Sequence, residues 1–282
     1  MTTSTSYYEK LNELLEADQP FVSVIVVDTT GSVPQDAGNK MLVTAEGLHF
    51  GTVGGGKVEK RAIEEAQALL SRLDSGQTTH FVNWSLSRDI GMTCGGAVKL
   101  YFETYNVNSW KIVIFGSGHV ALCVASLLSN LECRITCIDP RPEWLEKLPD
   151  SPKIRSVHAE DMPAQVAAVP DDAFVLLMTM GHTTDKPILL EILRTERNFP
   201  YLGVIGSDAK AARLKQDIAE AGLAAEYASK FYCPMGLDLG TNHPQEIAVS
   251  IVAQLLSVRD QVRADTRQRV RDQSRAEKSA VK

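Results

Sequence analysis

Four groups of residues in this chain have the types and spacing to do chemistry. The first is Gly116-Ser-Gly118-His119-Val-Ala121, set between a short apolar run and a helical apolar pattern, with Asp139 and Arg141 closing the next apolar run. In such an order Gly116 permits a tight turn and Gly118 lets backbone approach a pyrophosphate. Ala121 brings helix close to sheet, and the free N–H groups of the helix start hold the phosphate. Asp139, at the end of the second run, is placed to accept hydrogen bonds from ribose hydroxyls. Arg141 is placed to pair with a phosphate instead. NAD(P) is therefore one candidate ligand. His119 is unusual inside such a turn; it either contacts a ligand phosphate, caps the helix or faces solvent.

The second group is Gly54-Gly55-Gly56-Lys57, ahead of a helical pattern. Three glycines before a helix expose backbone N–H groups to an anion, and Lys57 adds positive charge. Glu59, in the first turn, suits the helix dipole but opposes an anion. Close packing of helix on sheet explains the glycines equally well. No GxxxxGK[ST] is present, so hydrolysis of a nucleoside triphosphate is not indicated. The third group is Thr93-Cys94-Gly95-Gly96, where neighbouring backbone donors favour a thiolate. Such a thiolate ligates a soft metal such as molybdenum or accepts sulfur. The fourth is Gly181-His182-Thr-Thr-Asp185, after an apolar run. His182 and Asp185 are placed for acid–base work or metal ligation; Thr184 or Asp185 capping the helix is the plainer reading.

The elements that must position these groups follow from periodicity. Ser6–Ala17 has helical spacing, and Phe21–Val27, Lys40–Thr44, Leu48–Val53, Thr79–Asn83 and Ala97–Glu103 read as strands around a helix from Val58 to Leu73. After a polar boundary near Tyr105–Ser109, strands alternate with helices, at Lys111–Phe115, Arg134–Asp139, Phe174–Thr179 and Tyr201–Gly206 for the strands. Helices are expected near Val120–Ser129, Lys186–Leu193 and Ala209–Ala221, with a last one over Pro244–Leu256. The expectation is an α/β protein: an N-terminal mixed α+β domain over residues 1–106, then a Rossmann-like, doubly wound parallel sheet over 107–260. The tail 261–282 is basic and reads as a frayed helix or disorder.

Composition narrows the function classes. The 282 residues carry a net charge of −6, which speaks against nucleic-acid binding. No run is long and apolar enough for a membrane span, and Met1–Lys10 lacks a signal-peptide layout, so a cytoplasmic protein is expected. Five cysteines without a signal peptide do not form a disulfide framework. Cys123, Cys133 and Cys137 read as buried apolar residues. Cys233, like Cys94, lies beside turn-forming residues.

Taken in order, the runs GSVPQDAGNKMLV, GTVGGGKVE, MTCGGAVKLYFE, VIFGSGHVA, Asp139-Pro-Arg141, GHTTD, YLGVIGSDAK and CPMGLDLGTNHPQEIAVSI resemble the XdhC/CoxI family of xanthine dehydrogenase accessory proteins. The resemblance runs in family order from about Phe21 to Leu256, nearly the whole chain. The resemblance implies a chaperone without turnover of its own. It implies binding of molybdenum cofactor, protection of it during sulfuration by a cysteine desulfurase, delivery to a xanthine dehydrogenase-type enzyme, and a homodimer. Many members carry a cysteine directly after the glycine triplet, where this chain has Lys57. Lysine does not ligate molybdenum as a thiolate does, so Cys94 becomes the candidate metal ligand, while Lys57 suits the cofactor's phosphate. The loop at His182 is also less rich in His and Asp than the family suggests. The alternatives are an NAD(P)-dependent oxidoreductase, for which no familiar hydride-transfer set is visible, and a nucleotide-regulated interaction protein.

Overall fold

A computed structural model describes residues 4–71, 78–93, 95–107 and 110–280. The chain divides into two units, Met1–Asn108 with Thr266–Lys282, and Ser109–Asp265.

In the first unit Val22, Val24 and Val26 alternate with Phe21 and Ser23 along β1 (Phe21–Thr30), the two-residue period of a strand covered on both faces. β1 lies at the centre of an antiparallel sheet with β2 (Lys40–Thr44), β3 (Gly47–Gly51), β4 (Thr79–Ser85) and β5 (Ala97–Tyr105), in the order β3-β2-β1-β5-β4. α2 (Gly56–Ser71) sets Val58, Ala62, Ala66 and Leu69 at helical spacing against Val22, Val24, Met41 and Phe102. α1 (Ser4–Glu16) covers the other face, with Tyr7 and Leu14 against Phe21 and Leu42. This is the expected mixed α+β layering.

The second unit is a parallel sheet. Its strands are β6 (Trp110–Phe115), β7 (Cys133–Asp139), β8 (Ile154–His158), β9 (Phe174–Leu177) and β10 (Tyr201–Val204), ordered β10-β9-β6-β7-β8. β6, β9 and β10 are almost wholly buried, as strands sandwiched between helices must be. α3 (His119–Ser129) and α7 (Pro244–Ala280) contribute to the core on one face, through Val124, Leu128, Ile251 and Leu255. α5 (His182–Arg194) and α6 (Asp208–Glu220) cover the other, through Ile188, Ile192, Leu214 and Ile218. The short α4 is Pro142–Leu145. The strand order and two covered faces are those of a Rossmann-like doubly wound fold, as expected.

Two expectations need correction. α5 begins at His182 rather than Lys186, although Pro187 lies inside it. Its first turn is stabilised by the Thr184 hydroxyl, which accepts from the Gly181 N–H at 3.2 Å and lies 2.5 Å from the Thr179 hydroxyl. And α7 continues to Ala280, so the segment expected to be frayed or disordered from residue 261 is helical that far. Its Arg, Gln, Glu and Ala residues are good helix formers, and a helix already nucleated at Pro244 extends at little further cost.

Candidate functional site

β6 and β9 are neighbours in the sheet, yet the chain leaves β6 for α3 on one face and β9 for α5 on the other. Their carboxyl ends therefore flank the crevice where doubly wound folds take ligands. Gly116 sits where the two loops meet, at φ +101°, and a Cβ there would lie 2.3 Å from the Met178 carbonyl oxygen. Gly118, the N-cap of α3, differs. Its φ is −71°, and a Cβ built on it meets no heavy atom within 4 Å. Neither backbone strain nor packing requires glycine at 118, and the space beside it is open to a ligand approaching the helix N-terminus. The position beside Gly181, the N-cap of α5, is open in the same way.

Asp139 ends β7 as expected, but its carboxylate is 1% exposed and fully engaged. Oδ1 accepts from the Arg141 backbone N–H at 2.9 Å and from Arg141 Nε at 2.8 Å. Oδ2 accepts from the Ser117 N–H at 2.7 Å and from Arg141 Nη2 at 2.8 Å. A carboxylate offers about four acceptor positions, and all are filled from within the unit. Burial pushes this carboxyl up, but the Arg141 hydrogen bonds, the Ser117 N–H and the guanidinium charge hold it below its ordinary value. A depressed carboxyl stabilises the fold above its unfolded pKa, and that contribution is lost as pH falls through the folded value. Acid titration below about pH 4 is accordingly expected to cost wild type more stability than Asp139→Asn; parallel curves in urea unfolding would contradict this.

Arg141 is also the N-cap residue of α4, which places its guanidinium 5.1 Å from the Trp144 ring centre. Lys147 Nζ lies 4.1 Å from the same ring, and the His119 imidazole meets it edge-on at 4.8 Å. His119 is exposed to solvent, with its ring edge-on to Trp144.

The fourth group separates. Asp185, completely buried, accepts from the Thr179 N–H at 3.1 Å and the Thr179 hydroxyl at 2.6 Å, and pairs with Lys210 of α6. His182 instead contacts Asp217 of α6, Nε2 to Oδ2 at 2.8 Å. Asp217 is 1% exposed and also accepts from Lys186 at 2.8 Å. Burial pushes the Asp217 carboxyl up, and Lys186, Arg213 and His182 together hold it below its ordinary value. His182 and Asp185 therefore do not share one site, and Asp185 ties β9 to α6 instead of capping α5.

In the first unit Gly54, Gly55 and Gly56 take φ values of +154°, +64° and +54°, and a Cβ on Gly54 would crowd Pro34 and Val58. Glu59 accepts from the Thr52 hydroxyl, whose oxygen in turn accepts from the Gly54 N–H at 3.3 Å. A carboxylate thus occupies the start of α2. Lys57 Nζ donates to the Gly91 carbonyl at 2.7 Å, tying the helix start to the loop that leads to Cys94. Cys94 itself lies outside the described residues. Both glycine-rich helix starts thus have a carboxylate beside them, Glu59 at α2 and Asp139 on the Ser117 N–H at α3, the latter paired with Arg141.

The family comparison decides what these units are. The XdhC Rossmann domain matches residues 112–255, more than half of the chain, and the XdhC and CoxI family matches residues 14–81. This chain belongs to the XdhC family. Among its relatives is the uncharacterised protein YqeB of Escherichia coli (strain K12), 31% identical over 88% of this chain and 45% of its own length. This XdhC-family chain therefore spans about half of that relative. A probable xanthine dehydrogenase subunit of Bacillus subtilis (strain 168) is 21% identical over 91% of this chain and 98% of its own. The molybdenum cofactor insertion chaperone PaoD of Escherichia coli (strain K12) is 24% identical over 88% of this chain and 86% of its own.

Among the described residues of this XdhC-family protein, no three His, Cys, Asp or Glu side chains gather as a metal site. Cys133 and Cys137 are buried as expected, and burial raises their thiols to about 11 and about 12. Cys123, expected to be buried, is half-buried, as is Cys233, whose thiol burial also pushes up. Periodicity alone missed Trp144, Lys186, Lys210 and Asp217. The signal for Asp217 was present: it shares the inward face of α6 with Ala211, Leu214 and Ile218.

Proposed function

We propose that this protein is a maturation factor that binds molybdenum cofactor, shields it during sulfuration by a cysteine desulfurase, and delivers it to a xanthine dehydrogenase-type enzyme. The observation that carries this reading is family membership over both units, with PaoD among the relatives. The residues present suit such a ligand. The open position at Gly118 and the N-terminus of α3 would hold an anionic phosphate. A thiolate at Cys94 would supply a soft ligand to the metal. The cofactor's chemistry is oxo and sulfur transfer at molybdenum; the chain's part is to bind, orient and exclude water. Lys57, engaged at Gly91, is a loop tie before it is a phosphate ligand.

In this reading the protein acts as a homodimer in the cytoplasm and turns over no substrate. No helix among the described residues is long and apolar enough to cross a membrane.

The test is the client's cofactor content. In cells lacking this chain, a xanthine dehydrogenase-type enzyme is expected to accumulate at normal protein level but with little molybdenum and little activity. Restoring the chain should restore both. A client that is fully loaded without it would overturn the proposal.

A further inference from the structure

A bare ribose diol presents two hydroxyl donors, and a doubly wound site reads it with an unoccupied carboxylate at the end of the second strand. Here that carboxylate has no vacant acceptor. Asp139 receives four hydrogen bonds, three of them from Arg141 and one from the Ser117 N–H of the glycine turn. The two side-chain bonds are bidentate and charge-assisted, about twice as strong as neutral ones. The diol would have to displace them from a carboxylate that is 1% exposed.

Arg141 is also held from its other surroundings. Its backbone carbonyl accepts the first N–H bonds of α4, from Trp144 at 3.1 Å and Leu145 at 3.4 Å, and its guanidinium lies over the Trp144 ring. A side chain fixed by Asp139 and by Trp144 does not move aside freely. The Ser117 N–H, one of the turn's donors, is likewise directed to Asp139 rather than to a ligand.

We propose that Arg141 is a specificity-determining residue that closes the crevice at Gly116–Gly118 to nucleotides read through a ribose diol, NAD above all. The glycine turn and its open position at Gly118 keep the capacity to seat a phosphate; what Arg141 removes is the diol reader beside them. The inference goes beyond the cofactor reading and stands apart from it. It is tested with nicotinamide nucleotides on protein made without molybdenum cofactor, whereas the cofactor reading is tested by molybdenum and pterin content.

The experiment titrates NADH and NADPH into wild type, Arg141→Ala and Arg141→Gln, following nicotinamide fluorescence and calorimetric heat. In Arg141→Ala the residue-141 and Ser117 backbone N–H groups still satisfy Asp139 in part, and two acceptor positions are freed. NADH affinity is expected to rise at least tenfold over wild type. NADPH should not gain, because its 2′-phosphate meets an uncompensated carboxylate. Arg141→Gln, which keeps one amide donor beside Asp139, should gain less. Adding Asp139→Asn to Arg141→Ala should abolish the gain, since a neutral amide reads a diol more weakly. Unchanged NADH affinity in folded Arg141→Ala overturns the proposal. So does an equal gain for NADPH, which would mean that space and not diol recognition was opened, and so does wild type that already binds NADH as tightly as Arg141→Ala.

Discussion

Replacing Asp185 with alanine is expected to lower the unfolding free energy of the second unit by about 3–5 kcal/mol, the cost of breaking a buried ion pair from one side. Asp185 has no exposed surface, and its carboxylate accepts from the Thr179 N–H, the Thr179 hydroxyl and Lys210. Without it, the Lys210 ammonium retains the Ile205 carbonyl at 2.7 Å but no counter-charge, in a side chain only 15% exposed. The Thr179 N–H also loses its partner, while the Thr179 hydroxyl keeps Thr184 and the Gly181 carbonyl within reach. Asp185→Asn keeps shape and some acceptor capacity, so a smaller loss is expected. Combining Asp185→Ala with Lys210→Met should cost less than the two single changes added, because the second removes the stranded charge. Urea unfolding of the four proteins measures these differences. A loss below about 1 kcal/mol for Asp185→Ala would place the pair among solvated surface bridges.

The second large effect separates two glycines of the same turn. Gly116→Ala is expected to cost about 2–5 kcal/mol, combining left-handed backbone strain with overpacking. The added Cβ would sit 2.3 Å from the Met178 carbonyl, and backbone of β9's exit loop cannot swing away as a side-chain tip would. Gly118→Ala should cost about 1 kcal/mol or less, the usual scale of an N-cap change, since φ is −71° and the space is open. The functional order is expected to reverse. The methyl at 118 enters the space assigned to the ligand, so folded Gly118→Ala protein should retain less cofactor than wild type. Melting curves and cofactor content on the same samples decide it. Equal melting points for the two variants would contradict the assignment of Gly116 to packing.

Much of the fold was legible because its strands and helices carry strong periods. The run Ile112–Phe115 and the pattern after Gly118 identify a strand–turn–helix, and the apolar run Phe21–Val27 identifies a buried strand, which β1 is, with both faces covered. β8 was not legible, because Ile154–His158 is an edge strand with three of its five residues exposed and no apolar run to mark it. The start of α5 was hidden by Pro187; what stabilises that turn is a side-chain cap and the tertiary bond from Asp185, neither of which a period records. The site divides the same way. Glycine and acid spacing located Gly116, Gly118 and Asp139 correctly in the fold. Spacing did not reveal that Arg141, two residues on, fills Asp139, since a pairing between neighbours on a turn depends on backbone geometry. His182 and Asp185 looked like one constellation from their separation of three. The helix sends them to different carboxylate and lysine partners on α6.

Whether this chain holds molybdenum cofactor is settled most directly by the molybdenum content and the fluorescence of the oxidised pterin in protein purified from cells that make the cofactor. Both are expected to co-purify in a fixed ratio to the chain, and both to fall in folded Cys94→Ala and Gly118→Ala protein. Protein purified from such cells with neither molybdenum nor pterin would contradict the proposed role.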